Sequence, residues 1–176
     1  GNENIVRSLI DSYNSKVGES TTTARVINEK LLLHLAINVN NISIIKFLIA
    51  KGAHVDVMPD SIIQSPLKLA IENGLEDIVK LLLDRGASIK NLENSGCVPL
   101  RTAIKNGSPE MVKLLLDRGA DTEKLDSHGC VPLHIAIYEG SPEIVKMLLD
   151  KKVDVNAKTI RGCSTPLHLA TVRGED

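Results

Sequence analysis

With 43% hydrophobic and 24% charged residues over 176 positions, the chain can bury a substantial, elongated core and reads as one continuous domain. Its 21 Lys and Arg against 22 Asp and Glu leave a net charge of −1, which excludes a global electrostatic drive toward nucleic acid or an anionic membrane. No apolar stretch approaches the roughly 20 residues that span a bilayer, so no membrane insertion is expected.

In chain order, residues 1–10 (GNENIVRSLI) align with the second of two helices that recur further on. Residues 11–29 (DSYNSKVGESTTTARVINE) exceed the repeat spacing by about six residues and predict a mobile Ser/Thr-rich loop, where an insertion costs little. The recurrence is explicit from residue 74: GLEDIVKLLLDRGA at 74–87 returns as GSPEMVKLLLDRGA at 107–120 and GSPEIVKMLLDKKV at 140–153. SGCVPL at 95–100 returns as HGCVPL at 128–133 and RGCSTPL at 161–167, so Cys97, Cys130 and Cys163 stand 33 residues apart. A fixed period of this size marks a repeat array.

Each unit reads as a strand-like finger, a helix, a short turn and a second helix. Pro66, Pro99, Pro132 and Pro166 open the first helices, where a missing N–H has no partner to lose. Ser65 and Thr165 stand where a side-chain oxygen caps the first turn. Gly74, Gly107 and Gly140 end these helices. Ser108-Pro109-Glu110 and Ser141-Pro142-Glu143 then supply a cap, a first-turn proline and a carboxylate near the positive end of the dipole, and Gly52, Gly86 and Gly119 close the second helices. Apolar residues at Ile78, Val79, Leu81, Leu82 and Leu83 cover more than one stripe, so each helix has to be buried on more than one side. Neighbouring units do that by stacking.

These strings resemble ankyrin repeats, most strongly at Thr165-Pro166-Leu167-His168-Leu169-Ala170, Pro132-Leu133-His134-Ile135-Ala136 and Val153-Asp154-Val155-Asn156-Ala157. The resemblance implies an all-α solenoid of stacked helix-turn-helix units with β-hairpin-like fingers. It divides the chain into residues 1–23 (a second helix and the long loop), 24–57 (a divergent repeat), 58–90, 91–124 and 125–158 (repeats), and 159–176 (a truncated repeat with its first helix only). A piece of a longer array is therefore expected. Several positions depart from the pattern. Val98 and Val131 replace the capping threonine, Lys152 takes the place of a terminal glycine, and Lys68 and Arg101 replace the motif histidine.

Stacked units keep equivalent residues about 8–10 Å apart, beyond disulfide reach, so the three cysteines are expected as free thiols, which favours a reducing, cytoplasmic or nuclear compartment. His128-Gly129-Cys130 offers only two ligands and matches no zinc spacing, so no metal is expected. The cysteines, His34, His134 and His168 recur at one place in successive units, which fits structural roles. No triad order, phosphate-cradling loop or Walker motif appears, so neither an enzyme nor a cofactor is expected. The resemblance implies that the motif histidine hydrogen-bonds within the finger and helix framework.

It also implies a protein partner on the concave side, touching finger tips and the exposed face of each first helix. Carried over position by position, the contact residues are Asp60, Ser61, Ile63, Glu72 and Asn73, then Asn94, Ser95, Cys97, Lys105 and Asn106. Ser127, His128, Cys130, Tyr138 and Glu139 follow, and finally Ile160, Arg161, Cys163, Val172 and Arg173. Aromatics are only 2% of residues, which makes Tyr138 the anchor candidate, flanked by Arg161 and Arg173. Phe47 falls in a helical apolar pattern and is assigned to the core. The expected function is a non-enzymatic protein-binding scaffold. The alternative is a regulatory or ligand-sensing array packed on an enzyme or channel domain.

Overall fold

A computed structural model describes residues 32–56, 64–160, 162 and 164–174, at Arg173 the backbone alone. The helix expected over 1–10, the 11–29 loop with Tyr13, and Asp60, Ser61, Ile63, Arg161 and Cys163 lie outside the described residues. The chain forms two compact units, Gly1–Ala87 and Ser88–Asp176.

In the first unit, α1 (residues 32–38) is followed by α2 (Ile42–Ala50), α3 (Pro66–Glu72) and α4 (Glu76–Asp84). The Asn41 side chain caps α2 by accepting from the Ile44 N–H at 3.0 Å, and Ser65 caps α3 by accepting from Lys68 N–H at 3.1 Å. Gly74 adopts φ +66° in the turn between α3 and α4, and the two helices pack together. Leu33, Ile37, Ile45, Leu48, Leu67, Ile71, Ile78 and Leu82 form the fully buried core. Phe47 is half-buried instead of in the core, with Lys51 Nζ, one turn along α2, 5.4 Å from its ring centroid.

The second unit contains α5 (Ile89–Asn94), α6 (Pro99–Lys105), α7 (Pro109–Asp117), α8 (Pro132–Tyr138), α9 (Pro142–Asp150) and α10 (Pro166–Arg173). Helices α6 and α7 pair, as do α8 and α9; α6, α8 and α10 pack side by side in one layer, with α7 against α9 in the other. This two-sided burial is why α8 is buried from Pro132 through Ile137. Leu167 occupies the place of buried Leu100 and Leu133, yet is 72% exposed. Among the described residues, no second helix covers α10. Lys152, in the place of a terminal glycine, takes φ +58°, the left-handed conformation that glycine would adopt freely.

The fingers contain no strand among the described residues. One is hairpin-like: Asp126 N–H donates to the Cys130 carbonyl at 3.0 Å, and Gly129 N–H to the Asp126 carbonyl at 3.0 Å. The next closes with Thr159 N–H donating to the Ser164 carbonyl at 3.0 Å, and Ile160 N–H joins the two fingers through the Gly129 carbonyl at 3.2 Å. The finger expected around 91–98 is different, because residues 89–94 form α5. Ser88 caps it by accepting from Asn91 N–H at 3.1 Å, and Ile89 and Leu92 bury themselves at helical spacing.

Candidate functional site: a groove in the second unit

A groove of about 380 Å³ runs along the α6–α8–α10 layer beside the fingers. Arg101 and Lys105 project into it from α6, one turn apart. From α8 and its C-cap come His134, Ile135, Tyr138 and Glu139, and from α10 comes Leu169. The fingers add Asp126, His128, Cys130 and Thr159.

Asp126 organises the finger wall. Its Oδ1 accepts from the backbone N–H groups of His128 (2.8 Å) and Cys130 (3.0 Å), while Oδ2 lies 2.8 Å from Arg101 Nη1. The same Nη1 donates to Ser127 Oγ at 3.2 Å and to His128 Nδ1 at 3.3 Å. The side chain of Asp126 is only 5% exposed. Burial alone would raise its pKa, but the two backbone donors, Arg101 and His128 outweigh that and hold the carboxyl below its usual range. The Cys130 thiol is pushed up by burial and by the Asp126 carboxylate, partly offset by Arg101, so it rests as a thiol and not as a reactive thiolate.

His134 ties the α8 repeat to the following finger. Its Nε2 is 3.1 Å from the Ser164 carbonyl oxygen, which can only accept, so Nε2 carries the hydrogen and Nδ1 is a bare lone pair in the neutral ring. That Nδ1 is buried with no hydrogen-bond partner. Burial lowers the His134 pKa, against the opposing pull of the Ser164 and Ala157 backbone and of Asp126. In the first unit, His34 Nε2 makes the same kind of bond to the Gln64 carbonyl. The motif histidine thus bonds forward to the next finger, a refinement of the expectation that it works inside the finger and helix framework.

A family model for ankyrin repeats in three copies matches residues 1–93 and 85–159. The chain belongs to the ankyrin-repeat family. A search of the curated proteins finds no match. Ankyrin repeats generally mediate protein–protein interaction, and the family is typically non-enzymatic.

Of the ankyrin contact positions expected from the sequence, the structure brings Lys105, His128, Cys130, Tyr138 and Glu139 together in the groove. Ser127 sits exposed at its rim on Arg101, and Ile160 is exposed on the neighbouring finger. Asn106, the C-cap of α6, is exposed, and Val172 of α10 is 84% exposed. Asn94, Ser95 and Cys97 gather at the end of α5, where Ser95 Oγ donates to the Leu92 carbonyl at 2.6 Å and lies 3.8 Å from Cys97 Sγ. Glu72 and Asn73 belong to the first unit; Glu72 pairs with Lys68 at 3.6 Å and Asn73 caps α3.

Arg101, Asp126, Ile135, Thr159 and Leu169 line the groove but were not among the expected contacts. The signal for two of them was present: an arginine replaces the motif histidine, and an aspartate stands in the next finger. Cys97 and Cys130 are free thiols. Among the described residues, no group of three or more His, Cys, Asp or Glu side chains is gathered where a metal ion could be held, and no helix is long and apolar enough to cross a membrane.

Proposed function

We propose that this ankyrin chain is a non-enzymatic scaffold that anchors a partner protein in the groove of its second unit. Tyr138 carries the reading. Its side chain is 64% exposed on the groove, one residue beyond the buried run Pro132–Ile137, where a large amphipathic ring offers a partner apolar area at low entropic cost. Ile135 and Leu169 add apolar lining, and the Arg101–Asp126–His128 wall adds polar edges. Aromatic anchors ringed by polar groups are where interface energy concentrates. Free thiols at Cys97 and Cys130 fit a reducing, cytoplasmic or nuclear setting.

The test is affinity capture with the chain and with Tyr138→Ala, followed by mass spectrometry of what is retained. The variant is expected to lose the partner by about 2 kcal/mol of binding, with an unchanged far-UV circular dichroism spectrum. A partner retained equally by both places the interface elsewhere.

A further inference from the structure

The groove has a register as well as a surface. Lys105, Tyr138 and Val172 each stand six residues after the helix-opening prolines Pro99, Pro132 and Pro166, on three helices packed in one layer. All three are exposed. Packed helices lie about 8–10 Å apart, so the three side chains mark a row at that interval. A polyproline II segment rises about 3.1 Å per residue with three residues per turn, which brings every third side chain back to one face at roughly 9 Å. A fully extended strand does not match, because residues on one face recur at about 6.6 Å.

Charge orders the row. Lys105 makes no ion pair among the described residues and shares its face of α6 with Arg101, with His128 on the facing finger. Asp126 neutralises Arg101, onto which its carboxylate is turned together with two backbone N–H groups, so among the described residues Lys105 is the cation at this end left for a partner. Glu139 stands next to Tyr138 and disfavours a carboxylate there. The remainder of the row is apolar, with Leu169 lining the groove and Val172 exposed one turn along α10.

We infer that the groove takes a polyproline II segment of a partner protein carrying an acidic side chain over Lys105 and apolar side chains three and six residues further, over Tyr138 and Val172. This rests on the groove being the binding site. The acidic contact it assigns is on α6, among the described residues.

A randomised 12-residue peptide display library sorted on the full chain, on Lys105→Glu and on Tyr138→Ala tests it. Both residues are exposed, and circular dichroism checks that the variants fold. The expected result is enrichment of Asp or Glu three residues before an aliphatic or aromatic residue, with proline frequent between them. Lys105→Glu should switch that acidic position to Lys or Arg, and Tyr138→Ala should abolish the selection. A synthetic copy of the best peptide should weaken roughly threefold to fivefold when its acid is replaced by the amide. Peptides lost on Tyr138→Ala but lacking the acidic position, or unmoved by Lys105→Glu, overturn this inference and leave the groove as the site. Peptides indifferent to Tyr138, or no enrichment at all, overturn both.

Discussion

Arg101 and Asp126 join consecutive repeats through an ion pair of 2.8 Å, at the motif position from which His134 reaches the Ser164 carbonyl one repeat later. The arginine is longer and permanently charged, so its partner has become a buried carboxylate in the finger in place of a backbone oxygen. Removing Arg101 takes its 2.8 Å partner from Oδ2 of the buried Asp126 carboxylate, while Oδ1 keeps the two backbone N–H groups. Arg101→Ala should destabilise the chain by about 1–2 kcal/mol, read as a lower denaturant midpoint. Asp126 is held below its ordinary pKa of 3.8. Its contribution is therefore present above that value and lost as pH falls through the lower folded value, so Arg101→Ala should narrow the loss of stability measured below about pH 4.

His134 and His168 differ at one atom. Thr165 supplies a hydroxyl 2.7 Å from His168 Nδ1, whereas Val131 occupies the matching place before His134 and leaves its Nδ1 orphaned. Val131→Thr should add a hydrogen bond to that lone pair, raising stability by about 1 kcal/mol in thermal unfolding. An unchanged or lower midpoint would count against the orphaned atom as the weak point.

Protonating His134 costs the folded state more than the unfolded chain. Its folded pKa lies below the ordinary 6.5, so the unfolded chain takes the proton first. Stability is complete above that value and should decline as pH falls from about 6.5 toward the folded value. Thermal midpoints between pH 8 and 5 will show this slope, and His134→Gln should flatten it.

Glu93 is buried, and its Oε1 accepts from Asp121 N–H at 2.8 Å; Glu123 makes the same kind of bond to Asp154 N–H at 3.0 Å on an exposed surface. Glu93→Ala should cost about 1–3 kcal/mol, because the bond lost is made by a buried side chain that joins α5 to the segment at Asp121, and Glu93→Gln should recover most of it. Glu123→Ala should cost clearly less, since water can replace the exposed acceptor. Equal costs would remove burial as the deciding factor.

Gly129 has φ +76°, and a Cβ placed on it would come within 2.5 Å of Ile160 Cβ. Gly107, at φ +64°, has nothing within 4 Å of such an atom. Gly107→Ala should therefore cost about 1 kcal/mol from conformation alone, and Gly129→Ala measurably more. Faster hydrogen exchange at Ile160 N–H in Gly129→Ala would report the parted fingers.

Local chemistry made much of the fold legible. Pro66, Pro99, Pro132 and Pro166 do open helices, Ser65 and Ser108 do cap α3 and α7, though Ser141 makes no side-chain cap bond on α9, and Lys152 does adopt the left-handed backbone its position demands. These are decisions within a few residues, set by dihedral preference and nearest hydrogen-bond partners. The repeat register likewise placed Lys105, His128, Cys130, Tyr138 and Glu139 on one groove. Only tertiary structure decided the rest. Helix α5 replaces a finger because Ile89 and Leu92 find a core to enter and Glu93 finds Asp121 28 residues away. Arg101 becomes part of the groove wall because Asp126 folds back across a repeat boundary to meet it. Such pairings depend on which surfaces stacking brings together, and their free energy appears only when distant residues shed water against each other.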